Sequence, residues 1–150
     1  MCFDCIRIYI LHSVHAWNER WFMSDTTLLI ERLELVLGAL ERIPNRFASI
    51  QTPDDFLADE TGVEHMDSIC MVLIAAGEEF KRIDKQTEGK LFAAYPQIQW
   101  RGVMGMRDVL AHGYFQVDAE QLFTVCDVHV PQLIHTLHLI LRELKEGKQH

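Results

Sequence analysis

Four side chains able to do chemistry lie within eight residues: Arg107, Asp108, His112 and Tyr114, in the run Arg107-Asp108-Val109-Leu110-Ala111-His112-Gly113-Tyr114. Arginine is a permanently charged planar fork that matches the oxygens of a phosphate. Histidine takes or gives a proton near neutral pH. Together they suffice, without a metal, for RNA cleavage by transesterification. The imidazole removes the 2′-hydroxyl proton or protonates the leaving 5′ oxygen. The guanidinium holds the scissile phosphate and stabilises the charge added in the transition state. The expected product is a 2′,3′-cyclic phosphate, and no cofactor is needed. Asp108 would support the pair by orienting the imidazole or the guanidinium. Spacing alone favours a helix end where Arg and His make caps and salt bridges, because Arg and His five apart are common, with Tyr114 a packed aromatic.

Arg107 and His112 are five residues apart, hence roughly 140° apart around a regular helix. They do not stack on one face. A cleft formed by two copies of the same helix would let both reach one substrate, which points to a symmetric homodimer with the motif at its seam.

The elements that must position these groups are helical. Leu29, Leu33, Val36, Leu37 and Leu40 recur at helical spacing between Thr26 and Arg42, and Pro44-Asn45 is expected to stop that helix. Thr61-Gly62-Val63-Glu64 reads as a capping box. It opens a helix with Val63, Met66, Cys70, Leu73, Ile74, Gly77 and Phe80 on one face, ending near Ile83 before the polar break Lys85 to Gly89. Cys70 reads as a packed small residue. A further helix spans Ile98 to His112, with Val103, Met106, Val109 and Leu110 facing inward and Gly113 ending it in a left-handed turn. After a loop from Tyr114 to Asp118 come a short helix over Ala119 to Cys126 and a last helix opened by Pro131. That helix aligns Leu133, Ile134, Leu137, Ile140, Leu141 and Leu144. No alternating strand pattern competes, so the fold class is all-α, an antiparallel helical bundle.

A chain of 150 residues suits one domain with a substantial core. The organisation reads as an N-terminal extension over 1–22, a helical domain over 23–146 and a tail over 147–150. Ser24-Asp25-Thr26-Thr27 after Met23 is a good capping cluster. Met23 is therefore one candidate for the natural start, with an extra packed element over 1–22 as the alternative. Cys2-x2-Cys5 and His12-x2-His15 are too tightly spaced for a zinc finger. His129, His135 and His138 lack a matching carboxylate or cysteine and read as surface residues. The net charge of −8 excludes a general nucleic-acid-coating role. A few phosphates would instead meet a local patch, for which Arg101, Lys81, Arg82 and Lys90 are the candidates. Four scattered cysteines fit a reducing cytoplasm. No apolar run approaches the ~20 residues of a membrane span.

The motif Arg107-x4-His112-x-Tyr114, with a polar residue directly after the Arg, resembles the signature of the HEPN superfamily. It is similar in particular to the HepT-type toxins, partners of minimal nucleotidyltransferase antitoxins. The runs Tyr95-Pro96-Gln97-Ile98-Gln99-Trp100-Arg101 and Gly105-Met106-Arg107-Asp108 follow the same pattern, as do Ala111-His112-Gly113-Tyr114-Phe115-x-Val117-Asp118 and Ile74-x2-Gly77-Glu78. The likeness extends from about Asp25 to Leu144. It implies a helical homodimer whose paired motifs form a metal-independent RNase site, with Arg107 and His112 as the catalytic pair and Asp108 in support. It also implies that the antitoxin transfers AMP to Tyr114. The alternative is a non-catalytic helical partner and regulatory substrate of a nucleotidyltransferase, for which Tyr114 matters and His112 does not.

Overall fold

The computed structural model describes residues 25–147. The expectations for the leader and its Cys and His pairs lie outside the described residues. α1 covers residues 25–40, followed by α2 (Ile43–Phe47), α3 (Asp55–Ala58), α4 (Glu60–Gln86), α5 (Lys90–Ala93) and α6 (Trp100–His112). A 3-10 turn over Tyr114–Gln116 leads to α7 (Ala119–Thr124), and α8 (Val130–Glu146) closes the bundle. No strand occurs among the described residues. The described residues form an all-α helical bundle.

The core is built where the apolar periodicity places it. Leu33, Leu40, Ile43, Phe56, Ile69, Phe80, Ile83, Leu137 and Ile140 are fully buried. Removing such side chains from water is the main favourable term in folding. Phe47 joins α2 to α3 and α7, with its ring centroid 6.2 Å from Phe56 and 5.0 Å from Phe123. Burial pushes the Cys70 thiol up to about 11, so it packs as a neutral apolar residue. His129, His135 and His138 lie on the surface, and His138 pairs with Glu41 at 2.9 Å.

Two anchors fix α6. At its N-terminus Trp100 stacks on Phe92 at 4.0 Å and meets the edge of Phe80 at 5.6 Å, while its indole N–H donates to the Tyr95 carbonyl at 2.9 Å. The Tyr95 hydroxyl in turn donates to Glu143 on α8 at 2.5 Å. At the other end the Tyr114 hydroxyl donates to Asp67 on α4. Phe80 meets Trp100 and Asp67 meets Tyr114, so α4 and α6 run antiparallel.

Several local expectations are corrected. Pro44 opens α2 instead of stopping α1, because a first-turn proline has no N–H to lose. α4 is capped two residues earlier than the Thr61 box. Asp59 is its N-cap and accepts the Gly62 N–H at 2.8 Å. α4 also continues past Ile83 to Gln86. Gly113 has φ −126°, outside the left-handed region; it follows α6 with its N–H on the Val109 carbonyl and a 3-10 turn after it. Val109 is 68% exposed, not inward. The two C-terminal helices are one continuous run, joined through a π-type turn over Val125–His129. The wider turn accommodates Pro131, which cannot supply the usual i→i−4 donor.

The cap assignment has a direct test. Asp59→Ala should lower stability to urea by ~1 kcal/mol. Thr61→Ala should change it by less than about 0.5 kcal/mol.

Candidate active site

The motif occupies the last turn and a half of α6 and the 3-10 turn that follows. Its partners come from α4, which meets α6 closely at Gly77. A Cβ placed there would lie 2.9 Å from the Arg107 Cβ and 3.2 Å from the Val103 carbonyl oxygen. Only glycine lets the α6 backbone come this near.

That approach sets the electrostatics. Glu78, the next residue on α4, holds the Arg107 Nε at 3.1 Å, and Asp108 holds Nη1 at 2.7 Å. Lys81, one turn along α4, pairs with the other oxygen of Asp108 at 2.7 Å. Arg82 lies 3.8 Å from Glu78 and 3.4 Å from Glu79, and Glu79 reaches Arg32 of α1 at 3.5 Å. Charges of alternating sign thus run from Arg32 through Glu79, Arg82, Glu78, Arg107 and Asp108 to Lys81. Four cations face three carboxylates, which leaves the cluster net positive on an acidic protein.

Among the described residues Arg107 Nη2 makes no hydrogen bond, and the side chain is about one-third exposed. Hydrogen bonding to Lys81 first, then to Arg107, brings the Asp108 carboxyl down to about 2. The bond to Asp108 and the Glu78 charge raise Arg107 above its usual value.

His112 is exposed, and its Nδ1 lies 3.0 Å from the backbone carbonyl of Asp108. A carbonyl only accepts, so Nδ1 carries the proton in this bond. Neutral His112 therefore presents its lone pair at Nε2, away from α6. Tyr114 is half-buried beside α4. The bond to Asp67, followed by desolvation, pushes its phenol up to about 12.

The structure brings Arg107, Asp108, Lys81 and Arg82 into one network. Lys90 pairs with Glu88 at 2.7 Å in the turn after α4, outside that network. Arg101 is exposed in the first turn of α6, ~9 Å along the axis from Arg107. Sequence reasoning did not assign roles to Gly77, Glu78 and Asp67. The Ile74-x2-Gly77-Glu78 run was the available signal for two of them, and Asp67 gave none. Val109 within the motif and Phe115 just after it are exposed apolar side chains, at 68% and 98%, as is Met71 of α4, one turn beyond Asp67, at 66%.

An all-α bundle presenting Arg-x4-His-x-Tyr at the end of one helix defines a protein of the HEPN class. More narrowly, the chain belongs to the family described as Ribonuclease HepT-like, whose model matches residues 30–140. It is similar to three proteins of Methanocaldococcus jannaschii. "Putative RNase MJ0127" is 27% identical over 99 residues, which cover 66% of this chain and 76% of that protein. "Putative RNase MJ0125" is 32% identical, covering 51% of this chain and 61% of the relative. "Putative RNase MJ1216" is 33% identical, covering 53% and 60% respectively. No solved structure matches. Among the described residues no helix is long and apolar enough to cross a membrane.

Two measurements check this geometry. Replacing an exposed helical glycine by alanine ordinarily stabilises by ~0.5–1 kcal/mol. Gly38, where an added Cβ would have nothing within 4 Å, should follow that rule, whereas Gly77→Ala should lose stability in urea unfolding. The Asp108 carboxyl should titrate at about 2 by NMR, and Lys81→Met should raise that midpoint. Its folded value lies below the ordinary 3.8, so its contribution to stability is present above that pH and lost as pH falls through about 2.

Proposed function

We propose that this chain is a metal-independent endoribonuclease toxin of a type II or type VII-like toxin–antitoxin pair, cleaving RNA by transesterification. The observation that carries the reading is the division of polar contacts at the motif. Arg107 spends Nε and Nη1 on carboxylates and keeps Nη2 for a phosphate, while His112 spends Nδ1 on α6 and keeps Nε2 for a proton.

In the reaction His112 Nε2 takes the proton of the 2′-hydroxyl. The 2′ oxygen then attacks the phosphorus while the bond to the 5′ oxygen breaks; the 5′ oxygen leaves with the electron pair and takes a proton from water, to which His112 returns its own. Arg107 binds the non-bridging oxygens and stabilises the added charge. Asp108 supports by holding the guanidinium through its carboxylate and the imidazole through its carbonyl. Lys81, Arg82 and Arg101 supply phosphate contacts along the RNA, with Lys90 more remote. The active unit is a homodimer in which Met71, Val109 and Phe115 form an apolar seam beside the motif. Burying them removes an exposed patch, and the two-fold axis brings two motifs into one cleft.

Control comes from a cognate minimal nucleotidyltransferase that transfers AMP to Tyr114. The added phosphodiester places negative charge and bulk on the α4–α6 pair that carries Arg107 and blocks the RNA path.

Expression of variants without the partner tests the reading. His112→Ala should abolish growth arrest and lower RNA cleavage by ~10²-fold or more. Tyr114→Phe should still cleave RNA yet escape neutralisation when the nucleotidyltransferase is co-expressed. Growth arrest that persists in His112→Ala would instead support a non-catalytic partner of the nucleotidyltransferase.

A further inference from the structure

Tyr114 comes with a base already attached. Its hydroxyl donates to Oδ1 of Asp67, a residue 47 positions earlier that only the antiparallel packing of α4 on α6 brings near. Burial does not demand this bond, because Tyr114 is only half-buried and water would satisfy the hydroxyl at no cost. Among the described residues no Lys, Arg or His forms an ion pair with Asp67, whereas Glu78 and Asp108 are both tied to cations. The carboxylate is thus committed to the phenol. The other titratable group acting on that hydroxyl is the Cys70 thiol, which burial keeps neutral.

A phenol held at about 12 is neutral at physiological pH and a poor nucleophile until its proton is taken. We propose that Asp67 is the general base for AMP transfer to Tyr114, so that the chain itself, and not its modifying partner, activates the acceptor hydroxyl. This inference rests on the AMP-transfer reading above. In the step, the Tyr114 oxygen forms a bond to the α-phosphorus of ATP while the bond from that phosphorus to the β-phosphate bridging oxygen breaks. Pyrophosphate leaves with the electron pair, and the phenolic proton passes to Asp67 and then to solvent. The hydrogen bond fixes the direction of the proton and aims the attacking lone pair away from α4.

The test follows AMP incorporation from α-labelled ATP into the full chain by the purified nucleotidyltransferase, for wild type, Asp67→Asn, Asp67→Glu and Tyr114→Phe. Asp67→Asn keeps the shape and loses the base. Its incorporation rate near neutral pH should fall ~10²–10⁴-fold. The rate should then recover about tenfold per pH unit as the phenolate forms unaided, and Asp67→Glu should restore part of the loss. Circular dichroism and thermal unfolding check that the variants are folded. Wild-type incorporation matched by Asp67→Asn, or a loss in that variant with the wild-type pH profile, overturns the base assignment while leaving AMP transfer intact. Wild type that takes no label, with a nucleotidyltransferase active on ATP, overturns the AMP-transfer reading and this inference with it.

Discussion

The close crossing of α4 and α6 at Gly77 is the constraint on which the rest depends. It is a steric fact before it is an electrostatic one: with 2.9 Å to the Arg107 Cβ, no side chain fits between the helices. Once the backbones are this near, Glu78 reaches Arg107 and Lys81 reaches Asp108 without either chain having to stretch. The same antiparallel packing carries Asp67 to Tyr114 more than two turns further back along α4. The contact of Trp100 with Phe80 of α4, backed by its stack on Phe92, keeps α6 from sliding along α4 and so holds all three pairings in register.

Surface ion pairs of this kind contribute little to stability. Their value here is geometric. A free arginine samples many rotamers, and ordering it on a phosphate costs side-chain entropy. Two carboxylates remove most of that freedom in advance while the side chain stays about one-third exposed. They do so without cancelling the local positive charge, because Lys81 and Arg82 balance them. A chain of net charge −8 thereby carries a locally net positive cluster. For His112 the corresponding device is the backbone of α6, whose carbonyl at Asp108 decides which ring nitrogen bears the proton.

Much of this was legible in the sequence where periodicity or a short motif carries the information. The leucine stripe of α1, the face of α4 through Cys70 and Phe80, and α8 fall where the apolar spacing puts them. The motif was visible because its members are neighbours in the chain. Local cap chemistry was less legible: Asp59 and Thr61 are both good caps, and only the path of α3 into α4 selects Asp59. Val109 looks inward on a helical wheel drawn for a monomer, yet it lies on the exposed edge of α6. Asp67 and Glu78 could not be assigned, because their roles exist only through contacts 47 and 29 residues away in sequence, across a helix pair whose register the sequence does not print.

The central claim is that a fixed guanidinium and an oriented imidazole are a sufficient reaction centre. The ends of the RNA fragments released by the purified chain in the presence of EDTA test it most directly. The account predicts fragments with 2′,3′-cyclic phosphate and 5′-hydroxyl ends, formed at an undiminished rate. Fragments with 3′-hydroxyl and 5′-phosphate ends, or cleavage that stops when divalent ions are removed, would contradict it.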